Sequence, residues 1–156
     1  MIHLQRNVCL GITFLCVAGI LSMHSCSTAE SIASKTFEST CWDITDTLGF
    51  SLHPSQLGRD SELNIEVTFL PDYRYSNLYL KAIATSPSGA KQEIMVNDTV
   101  IDPAGNWLTE ASGGTYLHPF DTPLRLALEE AGQYQIQLIQ YMRDSSLCEI
   151  QGVRVW

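Results

Sequence analysis

At 156 residues, with 17 acidic side chains against nine basic ones and a net charge of −8, the chain suits one domain and is too short for two comfortable ones. The acidic balance repels phosphate backbones and anionic headgroups, which argues against nucleic acid or polybasic membrane binding. Of the chemistries that need clustered cysteines, a zinc site is the poorest fit, because neither a CxxC nor an HxxxH spacing occurs.

Residues 1–25 read as a targeting segment rather than as part of a fold. Met1–Asn7 carries Arg6 as its only charge, and Val8–Leu21 is an uncharged apolar run of 14 residues, short of the ~20 that cross a bilayer. Ser25 then precedes Cys26. A small residue directly before a cysteine, after such a run, is what the lipoprotein signal peptidase reads, so Cys26 is the expected lipidated residue. Met23 and His24 make the recognition sequence a loose one. The competing reading is a plain signal peptide or an uncleaved anchor with an incidental cysteine. Cys9 and Cys16 lie inside the apolar run with no small residue before them. Removal of the segment takes Arg6 and no acidic residue, so an even more acidic remainder has only lipid to hold a membrane. Two or more acyl chains on Cys26 anchor stably where one is marginal.

Ser27–Thr36 is small and polar, and residues 26–36 are expected to form a lipidated tether. Residues 37–156 then make the folded domain. Its two cysteines, Cys41 and Cys148, are a candidate disulfide in an oxidising compartment. Two separate buried thiols are the other reading, and the slightly preferred one.

From Phe37 onward, short alternating runs are separated by turn residues. Leu63, Ile65, Val67 and Phe69 alternate with polar partners, as do Tyr134, Ile136 and Leu138, which is the period of a half-buried strand. Asn77–Thr85 is apolar on both faces and reads as a central strand. Cys41–Thr45, Gly49–Leu52, Lys91–Val96 and Glu149–Val155 are weaker strand candidates. Turn chemistry lies between them at Ser86–Gly89, Asp102–Gly105 and Ser112–Gly114. Leu124–Glu130 is the one helix-like stretch, and Asp98–Pro123 is the least regular loop. The expected fold is all-β, a single immunoglobulin-like or jelly-roll-like β-sandwich following a signal peptide and short tether. Glu130-Ala131-Gly132-Gln133-Tyr134 has the spacing of a tyrosine corner, which makes Tyr134 a structural residue.

Little in the sequence points to catalysis. His53 and His118 each precede a proline, and two isolated histidines lack the third ligand of a catalytic zinc site. No Gly-x-Ser-x-Gly elbow and no glycine-rich phosphate loop is present. Asp43, Asp46, Asp98 and Asp102 are candidates for paired carboxylates, although acidic residues in turns more often cap or face solvent. No cofactor is expected. Trp107, Tyr116 and Phe120 lie in the long loop and suit an aromatic platform for a sugar or partner. The preferred reading is that Trp107 plugs the end of the sandwich, folded back by the Asp-Pro-x-Gly turn before it.

A string of features recurs in order: the lipobox cysteine, Asn77-Leu78-Tyr79-Leu80, Ser86-Pro87-Ser88-Gly89, Asp98-Thr99, and Asp102-Pro103-Ala104-Gly105-Asn106-Trp107-Leu108. Gly113-Gly114, Gly132-Gln133-Tyr134, Gln140-Tyr141-Met142-Arg143 and Ile150-Gln151-Gly152-Val153-Arg154 follow. Together they resemble the GldH family of gliding-motility lipoproteins of the Bacteroidetes. The likeness spans nearly the whole mature domain. His118-Pro119-Phe120 follows the family's aromatic loop loosely, and Cys41 with Cys148 depart from its pattern. The resemblance implies a non-enzymatic envelope protein of a gliding apparatus coupled to type IX secretion, whose partners are other motility or secretion proteins. It carries over no catalytic residue. It also implies that Asp46-Thr47-Leu48 and Asp98-Thr99-Val100 match an Asp-Ser/Thr-apolar acceptor pattern for O-glycosylation, at Thr47 and Thr99. A glycan-binding lipoprotein using the Trp107–Phe120 loop is the alternative function, and an unrecognised hydrolase a distant third. With Glu30 as the single acidic residue close behind Cys26, the expected address is the periplasmic side of the outer membrane.

Overall fold

A computed structural model describes residues 33–53, 63–122, 124 and 130–156. Its strands are β1 (Ala33–Thr36), β2 (Cys41–Asp43), β3 (Leu48–Leu52), β4 (Ile65–Phe69), β5 (Asn77–Thr85) and β6 (Lys91–Thr99), followed by β7 (Ala111–Ser112), β8 (Thr115–Phe120), β9 (Tyr134–Gln140), β10 (Ser146–Cys148) and β11 (Ile150–Val155). The molecule is all-β, as the alternation predicts. One sheet has the order β1-β11-β4-β8-β7, a second β3-β9-β5-β6, and β10-β2 form a small third.

The pairings are nested: β5 with β6, β4 with β8, β3 with β9, β2 with β10 and β1 with β11, all antiparallel. The chain is thus one long hairpin, closed at the Ser86–Ala90 turn, whose arms roll into two sheets. The orders β1-β11-β4-β8 and β3-β9-β5-β6 are those of a jelly roll, which decides between the two expected kinds of sandwich. Each sheet turns one apolar face inward. Along β5, Leu78, Leu80, Ala82 and Ala84 are buried while Asn77 to Thr85 at alternate positions are not. They meet Ile65, Val67 and Phe69 of β4 and Ile136 and Leu138 of β9 in a single core.

Three expectations are corrected. The tether ends earlier than Thr36, because Ala33–Thr36 pairs along β11 as an edge strand. Here Gly152 lies so close to β1 that a side-chain carbon would meet the Lys35 carbonyl at 2.7 Å. The loop Asp98–Pro123 is not irregular throughout, since β7 and β8 lie in it and β8 pairs with β4 from Tyr116 to Phe120. Pro119 is tolerated in β8 because β7 pairs only with Thr115 and Tyr116, leaving the far edge at Pro119 without a ladder partner to serve. Asn77–Thr85 lies between β9 and β6 as a central strand should, but only one of its faces is covered. The helix-like stretch falls outside the described residues except for Leu124 and Glu130.

Cys41 and Cys148 are directly opposed in the β2–β10 register and form a disulfide, in place of two separate thiols. Trp42, fully buried and opposite Leu147 in the same register, packs 5.5 Å from the Phe37 ring and donates its indole N–H to the Asp46 carbonyl at 2.8 Å.

Candidate functional site

Cys26 lies outside the described residues. Thr47 is exposed just before β3, and Thr99 is exposed at the end of β6, opposite Asn77. The carboxylate next to Thr99 is engaged: Asp98 accepts the Thr99 backbone N–H at 2.8 Å and meets buried His118 Nε2 at 2.9 Å. That pair joins β6 to β8 across the edge of the sandwich. His53 sits exposed immediately after β3. Among the described residues, no group of three or more His, Cys, Asp or Glu gathers to hold a metal.

The three aromatics of the long loop do not form a platform. Phe120 points into the core at 3% exposure. Trp107 stacks on Tyr116, with centroids 4.1 Å apart and planes 7° from parallel, and its other neighbours are Phe69 and Tyr73. The plug is the arrangement found, and local chemistry explains it. Asp102 accepts the Ala104 and Asn106 backbone N–H groups at 2.9 and 2.8 Å, closing an Asx-type turn. Ile101 then bridges to Trp107. On the other side Gly113 and Gly114 take positive φ of 61° and 85°, giving the tight turn that brings Tyr116 back beneath the indole.

The Asp102 carboxyl is held below its ordinary range by the Asn106 backbone amide and carboxamide, with help from the Ala104 and Gly105 amides. A lowered carboxyl contributes stability above its unfolded value of 3.8 and loses it as acid protonates the folded group below that. Acidification below about pH 4 is therefore expected to loosen the Trp107 seat. Acrylamide quenching of tryptophan fluorescence should rise there in the wild type, and be raised already at neutral pH in Asp102→Ala. Equal quenching of the two proteins at pH 7 would refute this role for the turn.

A feature that sequence reading missed lies on the outer face of the β3-β9-β5-β6 sheet, which no element among the described residues covers. An open groove of about 650 Å³ runs there between the ends of β5 and β6 and the loop after β9. Asn77 and Tyr79 of β5 face outward into it beside Asn97 and Met95 of β6, where Tyr79 is the cross-strand partner of Asn97. The β9–β10 loop adds Tyr141, Met142, Arg143 and Asp144, and Tyr75 closes one end. Of the five large hydrophobic side chains exposed among the described residues, three belong to it: Tyr141 at 58%, Met95 at 46% and Tyr79 at 39%.

The loop is braced from below. Gln140, with no exposed surface, donates its amide to the Asp144 carbonyl at 3.0 Å and accepts the Met142 backbone N–H at 2.9 Å. Tyr75 donates its hydroxyl to Asp144, whose carboxylate holds the phenol above its usual range. The Tyr79 N–H faces Met142 Sδ at 3.4 Å. Behind the groove, Tyr73 packs edge-on to Tyr75 and donates to the Asn77 carbonyl at 2.9 Å. The sequence holds its two halves, Asn77–Leu80 and Gln140–Arg143, but they lie some sixty residues apart and meet only through the β5–β9 pairing.

The chain matches the family described as GldH lipoprotein over residues 31–155. No curated protein and no solved structure matches the chain.

Proposed function

This chain belongs to the GldH lipoprotein family and is thereby a membrane-anchored lipoprotein of the cell envelope related to gliding motility; from that we propose that it serves the motility apparatus, coupled to type IX secretion, by contacting other envelope proteins and without catalysing a reaction. The observation that carries the reading is the extent of the match, which takes in every strand of the jelly roll, from two residues before β1 to the last residue of β11. The packing is in keeping with it. The most specific string of the family likeness, Asp102–Leu108 with Gly113-Gly114, is spent on seating Trp107 against Tyr116 rather than on gathering reactive groups.

In this reading Cys26 carries the lipid, residues 27–32 link it to β1, and the domain faces the periplasm from the outer membrane. Thr47 and Thr99 are the proposed O-glycosylation acceptors, both on exposed positions. Mass spectrometry of native protein finding both threonines bare would remove that part of the proposal. Pull-down of the lipidated protein from cross-linked envelopes should recover a motility or secretion component, and recovery of none would count against the role. Replacement Cys26→Ala is expected to shift the protein wholly into the soluble fraction, with its unfolding transition unchanged, and to abolish gliding where the cell glides. A soluble form that supports full function would show that the anchor is dispensable.

A further inference from the structure

We propose that the groove over β5 and β6 is a binding site for a neutral saccharide. The inference goes beyond the protein-contact reading and stands on different observations. Sugar rings present an apolar face of C–H groups and an edge of hydroxyls, so a site for them needs exposed aromatic faces beside short polar side chains. Tyr79 and Tyr141 supply the faces. Asn77 and Asn97 supply carboxamides that both donate and accept, at neighbouring positions of paired strands.

Size and charge narrow the occupant. About 650 Å³ lies within the range of small-ligand sites and suits a short stretch of a glycan chain. The charged residues of the rim, Arg143 and Asp144, are adjacent and of opposite sign. With 17 acidic residues against nine basic in the whole chain, an anionic saccharide would be repelled. An added peptide strand is also a poor fit over β5, which already pairs with β6 on one side and β9 on the other. The loop that completes the site is fixed in advance by Gln140, so little ordering opposes binding.

The methionines make the test direct. Met1 and Met23 belong to the targeting segment, which leaves Met95 and Met142 in the mature chain, and both line the groove. Lipidated protein labelled at the methionine methyls, in detergent, would be titrated with maltotetraose, chitotetraose, mannotetraose and cellotetraose, with tetragalacturonate as the anionic control. The expected result is a saturable shift of both methyl signals by at least one neutral tetrasaccharide. Tyr141→Ala and Asn97→Ala, both at exposed positions, should each weaken that binding by about tenfold or more while leaving the thermal transition in place. Failure of every neutral sugar to shift either signal at 10 mM (roughly the weakest range worth calling binding) overturns the proposal. So does a shift by tetragalacturonate alone, or one that survives in both variants.

Discussion

Opening the Cys41–Cys148 disulfide is expected to lower the free energy of unfolding by about 4–5 kcal/mol, the loop-closure entropy of a bridge spanning 107 residues. For a domain of this size that is a large part of a total of about 5–15 kcal/mol, and a drop in Tm of roughly 15–20 °C. The bridge closes the rolled hairpin near its open end, where β2 meets β10, and without it the outer arms are joined only by their ladders. Among the described residues, Thr40 and Glu149, which lie just outside the two cysteines, are the non-glycine residues with positive φ, at 54° and 64°. Such backbone persists only where its surroundings impose it, and here the bridge and the Ile150 N–H to Thr40 carbonyl bond do so. Urea unfolding of the Cys41→Ser, Cys148→Ser double variant against the oxidised parent measures the effect. A difference below about 1 kcal/mol would mean that the bridge leaves the unfolded state unconstrained.

Trp42→Ala is expected to cost about 3–5 kcal/mol, the range for removing a large aromatic from a closed core. No surface of Trp42 is exposed, and its indole also satisfies the Asp46 carbonyl. Trp42→Phe separates the two contributions. It keeps most of the volume and leaves that carbonyl without its donor, for an expected loss of about 1–3 kcal/mol. Because Trp42 adjoins Cys41, its loss and the loss of the bridge should not add. A double-mutant cycle with fully additive costs would show that the bridge and the indole stabilise separate parts of the sandwich.

Most of the fold was legible because its strands alternate. β4 and β9 carry the period of a half-buried strand and are found where it places them, whereas β5 reads as apolar on both faces and β11 only weakly, its ladder to β4 shifting register between Ile150 and Gly152. β1 was hidden because Ala-Ser-Lys-Thr holds its place at the sheet edge through backbone bonds, with three of its four side chains exposed. β8 was hidden by His118 and Pro119, which interrupt its pattern at the one edge where a proline does no harm. The plug role of Trp107 could be read from the turn before it. The groove could not. Tyr79 reads as one more apolar residue in a central strand, and only the absence, among the described residues, of a covering element over that sheet makes it a surface ring. Tyr141 adds to this, since it lies just past the end of β9, outside any periodic run.

The position of β1 also sets how far the domain can stray and what yields when it is pulled. With lipid on Cys26, the seven peptide links to Ala33 span at most ~25 Å when taut, so the sandwich is confined to the zone next to its bilayer. Any tension between the anchor and a moving partner enters the fold through four residues hydrogen-bonded on one side to β11. Peeling that strand away would pay out ~13 Å of extra leash, while the disulfide, a few residues further in, stops the unzipping from reaching the core. The edge strand is in this sense a short mechanical slack, and the covalent link behind it sets its limit.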